Sequence, residues 1–309
     1  MTPMPPEFHD LAKRVNNWGR WGRDDQRGTL NLLTPHHVRA AAGLVRTGRT
    51  VSLSLPLSQD GPQTGIIPGR INPHRTMIMC NTPITGDTRQ FCTSDDVVEM
   101  GLQAATHWDA LAHVSYAGRL YNGFPASVVT SAGAAYCGVD RIGQVVGRGV
   151  LLDLPRMLGV DVLPPGYAVT AADLDAAEEL ARITVSTGDL VLVRTGQLRR
   201  LKAGDRDGYG APSPGPSLGT VEWFHRRDIA AVATDNLTFE VYPGELADAP
   251  FAVHLLHLVE MGLLQGQNFD LEELSEDCAD DGVYEFLLHA TPLPFRHAVG
   301  APVAPVAVK

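Results

Sequence analysis

The sequence predicts an α/β fold, with α+β the neighbouring class, because short buried strands alternate with helical patterns. Three apolar runs carry the strand signal: residues 149–154, 189–194 and 229–234. Each is short and bounded by polar or Gly residues. The chain has 309 residues and is 44% apolar, enough to bury a sizeable core, which excludes a disordered chain. It also has 31 Gly and 22 Pro without a fixed period, so turns are many and collagen-like structure is excluded.

In chain order, residues 1–30 read as an N-terminal arm, with Trp18 and Trp21 among glycines and charges. Thr34 and Pro35 read as an N-cap and first helical residue, and the Ala-rich stretch 36–45 as their helix. Residues 51–57 (VSLSLPL) alternate with period two, a half-buried strand. Residues 58–75 form a Gly/Pro-rich loop, and 76–80 a short strand. Thr170 and Asp173 resemble a capping box opening a helix over 174–183. Residues 201–220 read as loop. Residues 251–264 read as a helix apolar nearly all round, hence buried. The Pro- and Ala-rich tail after Thr291 reads as extended. No repeat or linker divides the chain, so one domain over 1–309 is expected.

Lys and Arg number 25 against 35 Asp and Glu, a net charge of −10, which lacks the electrostatic footprint of a nucleic-acid binder. No phosphate-binding GxxxxGK[ST] loop and no GxGxxG opening a helix is present. No apolar run reaches the length of a membrane span, and the first residues have no signal-like basic and apolar regions. Cys80, Cys92, Cys137 and Cys278 form no CxxC pair. A cytoplasmic protein with free thiols is expected, with a small-molecule substrate and neither nucleic acid nor membrane as partner.

The chemistry concentrates in two clusters. In the first, His107 and Asp109 are two residues apart. On an extended segment they share a face with Cα atoms about 6.6 Å apart, which suits two ligands of one cation. His113 follows Asp109 by four, so a turn after Asp109 brings it in. Imidazole with carboxylate suits Zn²⁺, Mn²⁺ or Fe²⁺ better than Mg²⁺ or Ca²⁺. Gln103 would lie about 13 Å from His107 if extended, so it reads as a substrate or water contact. In the second cluster, a His254 buried among Leu and Val needs a partner, as a ligand or a catalytic imidazole. His257 with Glu260 reads as an ordinary helix-surface pair. Trp108, Tyr121 and Phe124 are candidates for an aromatic wall, with core packing the alternative. Asp235, after the strand at 229–234, is a candidate for the pocket rim, because ligand sites favour the carboxyl ends of strands.

These residues resemble the cyclase family of metal-dependent hydrolases, which includes bacterial kynurenine formamidase and isatin hydrolase. The family signature HxGTHxDxPxH stands here as Gln103-x-Ala105-Thr106-His107-x-Asp109-x-Leu111-x-His113. The first His, the Gly and the Pro are replaced. Arg27 to Thr34, Tyr121-Asn122-Gly123 and several later strands resemble the family as well. So do His254 and the stretch 266–271, where Gln267 stands in place of the family's Glu.

The resemblance implies a swivelling β/β/α fold, with a twisted, mixed, barrel-like sheet and flanking helices, as a homodimer or homotetramer. It implies His107 and Asp109 as metal ligands, and His113 and His254 as second-metal ligands or acid/base residues. Gln103 and Gln267 replace two ligands of two-metal members. One divalent metal, Zn or Mn, is therefore expected, with both Gln side chains turned to substrate. The implied reaction is hydrolysis of a non-peptide carbon–nitrogen bond, as in an aryl formamide or cyclic amide, or of a lactone. A cyclase or isomerase that stabilises an enolate, and a metal-poor binding protein on the same fold, are the alternatives.

Overall fold

The apolar runs become neighbouring strands of one nine-stranded sheet in the computed structural model, which describes residues 4–309. The strands are β1 (Thr50–Ser52), β2 (His107–Asp109), β3 (Val146–Asp153), β4 (Leu190–Arg194) and β5 (Ala231–Thr234), followed by β6 (Leu264–Gln267), β7 (Glu285–His289), β8 (Gly300–Pro302) and β9 (Val306–Val308). Their order across the sheet is β1-β9-β7-β3-β4-β5-β6-β2-β8. From β3 to β6 the strands run parallel, and the outer pairs are antiparallel. The sheet curls strongly into a half-barrel with helices against it.

Period two sorts the side chains into two cores. Val150, Leu152, Val191, Val193 and Val232 face the helices, where Leu174, Val221, Trp223 and Phe224 meet them. Leu151, Leu190, Leu192, Ala231 and Ala233 face the other way, onto Trp108, Phe269 and Phe286. Both faces are covered, so the central strands are continuous apolar runs rather than alternating ones. Burying each large side chain contributes roughly 1.5–3 kcal/mol.

The capping box forms as the sequence predicts. Thr170 Oγ1 accepts from Asp173 N, and Asp173 accepts from Thr170 N, at the start of the helix Ala171–Ala181. Elsewhere the boundaries shift. Pairing with β9 fixes only residues 50–52 of the expected strand 51–57. The stretch 201–220 contains the short helix Arg206–Gly210 and the start of the helix Leu218–Arg226. The tail supplies β8 and β9, whose partners come from far along the chain.

The expected arm over 1–30 is instead docked on the fold from residue 4 onward. Residues 1–3 lie outside the described part. Helix α1 (Pro6–Val15) buries Phe8, Leu11, Ala12 and Val15, the i, i+3, i+4, i+7 stripe of an amphipathic helix. After it, Asn17 N donates to Glu260 O, Asn17 Nδ2 to Met261 O and Trp18 Nε1 to Val259 O. These donors satisfy carbonyls at the end of the segment 251–264. That segment is one α-turn, Ala252–His254, followed by a π-helix, Leu255–Met261. A π-helix leaves more end carbonyls for outside partners than an α-helix, and the first segment supplies them.

Candidate functional site

Strand β2 builds the centre of the site. His107 and Asp109 project from one face, while Trp108 projects from the other. The two ligand candidates are fully buried. His107 Nδ1 donates to Ala105 O at 2.7 Å, which leaves Nε2 as the lone-pair nitrogen. That Nε2 lies 3.5 Å from Asp109 Oδ1, and neither atom has a hydrogen-bond partner. The turn after β2 brings His113 Nε2 to 3.6 Å from the same oxygen. Gln103 packs beside it, its side-chain nitrogen 3.4 Å from His113 Nδ1.

Two residues from distant segments complete the cluster. Gln267 on β6 pairs in register with His107. Its Nε2 donates to Asp109 Oδ2 at 2.8 Å and lies 3.3 Å from His254 Nε2. His254 is itself fixed by Glu240, which accepts from His254 Nδ1 at 2.6 Å and from the backbone N of Val253 and His254. Nδ1 is thereby the protonated nitrogen, and Nε2 faces the cluster, 3.9 Å from Asp109 Oδ2.

Burial pushes the Asp109 carboxyl up, but the neighbouring histidines outweigh it and hold the group well below the usual carboxylate range. Burial lowers the His113 imidazole against the opposing pull of Asp109. The two shifts together favour an anionic Asp109 and a neutral His113, the protonation that a metal needs of carboxylate and imidazole.

Among the described residues, no three His, Cys, Asp or Glu side chains form a ready metal cage. The donors present still fit a single ion. Spacings of 3.5 and 3.6 Å from Asp109 Oδ1 are those of adjacent ligands about 2 Å from a common centre. A buried imidazole nitrogen and carboxylate oxygen left unpaired cost several kcal/mol, roughly, and a cation accepting both removes that cost. On the other side of Asp109, the Gln267 amide nitrogen contacts both Oδ2 and His254 Nε2, so a neutral donor occupies the space between that carboxylate oxygen and His254.

His107 and Asp109 lie behind the floor of a cavity of about 380 Å³. His113, His254 and Gln267 line it on the side nearest Asp109. Leu237, Tyr242, Phe251, Ile66 and Ile67 make apolar walls, and Arg70 adds one cation. Tyr242 stacks on Phe251 with ring centroids 5.7 Å apart, and Phe251 meets His254 edge-on at 5.4 Å.

Several expected site residues belong elsewhere. Trp108 is fully buried, packs on Phe269, and its indole N–H donates to Ala290 O, so it is core. Tyr121 donates to Asp25 and its ring fills the space beside Gly262, whose positive φ ends the π-helix. Phe124 stacks on Tyr136. Asp235 is fully buried and accepts from Thr195 N, Thr195 Oγ1 and Gly196 N, tying β5 to the end of β4 rather than facing a ligand. His257 and Glu260 form no surface pair. His257 is fully buried between Phe224 and Phe239, and Glu260 bonds Asn16 and Tyr116.

The sequence reading missed Glu240, Tyr242 and Arg70. Arg70 had a signal, as the single charged residue between Asp60 and His74. Glu240 had none, because its role depends on a contact with His254 made only in the folded chain.

A sequence model of the Cyclase family matches residues 51–241, well over half of the chain. The chain belongs to the cyclase family. The matched span holds Gln103, His107, Asp109 and His113 and ends before His254 and Gln267. Among solved structures, this cyclase-family chain is similar to one described as a novel cyclase, 39% identical over 96% of this chain and 99% of that one, with a TM-score of 0.88. Isatin hydrolase A from Labrenzia aggregata, bound to benzyl benzoate, shares the fold at 21% identity, 86% and 94% coverage, and a TM-score of 0.64. Isatin hydrolase A from Ralstonia solanacearum does so at 22% identity, 89% and 98% coverage, and a TM-score of 0.61. No curated protein matches the chain.

Proposed function

We propose that this cyclase-family chain is a hydrolase that adds water to the carbonyl of an amide, lactam or lactone, with one divalent transition metal, Zn or Mn. The observation that carries the proposal is the pair of orphaned buried donors, His107 Nε2 and Asp109 Oδ1, beside His113 and the Glu240-oriented His254. His107, Asp109 and His113 would hold the metal, which when bound lowers the pKa of water and polarises a carbonyl.

The chain's own residues supply the rest. Glu240 accepts from His254 Nδ1 and keeps Nε2 as the unprotonated nitrogen, able to take a proton at the cavity floor when the contact with the Gln267 amide is given up. The same imidazole, once protonated and stabilised by Glu240, returns that proton to the leaving nitrogen or oxygen. Gln267 holds Asp109 Oδ2, which leaves Oδ1 for the metal side. Tyr242 and Phe251 exclude water and offer flat apolar faces to a planar substrate. The fold shared with isatin hydrolases is consistent with a cyclic amide as substrate.

Elemental mass spectrometry on untagged protein tests the metal: about one Zn or Mn per chain, lost in His107→Ala, is expected for a single site. Product mass tests the reaction. A gain of one water on a ring-opened acid supports hydrolysis, and an unchanged or dehydrated mass supports cyclisation instead.

A further inference from the structure

We propose that Arg70 binds a carboxylate carried by the substrate, so that the cavity selects amides or lactones whose apolar body bears a free carboxylate. The inference deepens the hydrolase reading and rests on it for the reacting bond. Arg70 lines the cavity together with His113, on a wall that is otherwise Ile66, Ile67 and Pro68. The side chain is half-buried and makes no hydrogen bond or ion pair with any described residue.

Other buried and part-buried arginines of the chain behave differently. Arg194 pairs with Asp153 and Glu272, Arg148 with Asp189 and Glu285, and Arg227 with Asp175 and Glu178. Arg70 has no such partner, and burial lowers its pKa against the opposing pull of Asp109. Asp109 cannot satisfy it, because that carboxylate already faces three histidines and Gln267.

A cation half out of water and without a partner is costly, and its neighbours on this wall, Ile66, Ile67 and Pro68, are apolar side chains. A planar guanidinium matches one carboxylate through two parallel hydrogen bonds. The charge is local and deliberate in a chain of net charge −10, which would otherwise repel an anionic substrate. Gly101 provides the space for the arginine stem, since a Cβ there would come within 3.0 Å of Arg70 Cγ.

Calorimetric titration with benzoate and its neutral isostere benzamide tests the proposal on the full chain. Benzoate should bind wild type on the order of 10-fold tighter or more, the worth of a charged hydrogen bond. Arg70→Gln should erase the preference by weakening benzoate alone, and Arg70→Lys should retain part of it. Gly101→Ala, which pushes the stem aside, should weaken benzoate and leave benzamide unchanged. Equal binding of the two probes by wild type, or undiminished benzoate binding by Arg70→Gln, overturns the proposal. The second result would place the anion on a bound metal or elsewhere. A protein with the preference and no hydrolytic activity would defeat the hydrolase reading alone. An active hydrolase without the preference would defeat this inference alone.

Discussion

The side-chain amide of Gln267 donates to Asp109 Oδ2 at 2.8 Å, and so fills with a neutral donor the position where a second cation would meet that carboxylate. Gln267→Glu would bring two buried carboxylates together. Their repulsion should destabilise the metal-free protein and raise its affinity for a second ion. Metal stoichiometry under metal excess should rise from about one to about two per chain. Unchanged stoichiometry would remove Gln267 as the reason for a single site.

Asp109 is the carboxylate that His107, His113 and His254 all face, at 3.5 to 3.9 Å. Asp109→Ala should abolish metal retention through gel filtration, because the imidazoles alone lose the charge that neutralises a dication. Full occupancy in the variant, measured by elemental mass spectrometry, would sink the ligand assignment.

Glu240 decides which nitrogen of His254 carries the proton. Glu240→Gln should lower kcat on the order of 10²- to 10⁴-fold with little change in KM, the effect of losing an orienting carboxylate behind a catalytic imidazole. A loss confined to KM would make His254 a binding residue instead.

His257 is buried against Phe224 and Phe239, with both ring nitrogens unpaired. Burial, aided by the charge of His254, lowers its pKa to about 3. The folded-state value is depressed below the unfolded one, so the folded state favours neutral imidazole. Its contribution to stability is complete above about pH 6.5 and is lost as pH falls toward about 3. The loss approaches about 1.4 kcal/mol per pH unit in that window. His257→Phe should therefore flatten the acid side of the stability curve, read as urea midpoints from pH 7 down to pH 4. An unchanged acid slope would show that other groups carry the titration.

Much of the architecture was legible because its signals are local. Apolar runs at 149–154, 189–194 and 229–234 marked central strands, and Thr170 with Asp173 marked a helix start. Strands β7, β8 and β9 were not read as strands, because short segments acquire their pairing only from distant partners. Asp235 followed the rule for ligands at strand ends and still proved structural. The backbone N–H groups of Thr195 and Gly196 reach it first.

The sequence by itself determined that His107 and Asp109 share a face, because strand side chains alternate with period two. Trp108, read as a candidate wall of the site with core packing the alternative, proved to be core only in the fold. Tertiary structure alone decided that Gln267 and His254 close on Asp109, that Glu240 orients His254, and that Arg70 stands unpaired in the cavity wall. Periodicity fixes direction within one element. Which directions converge depends on how curled sheet, π-helix and loop pack together, and on which buried polar atoms find partners there.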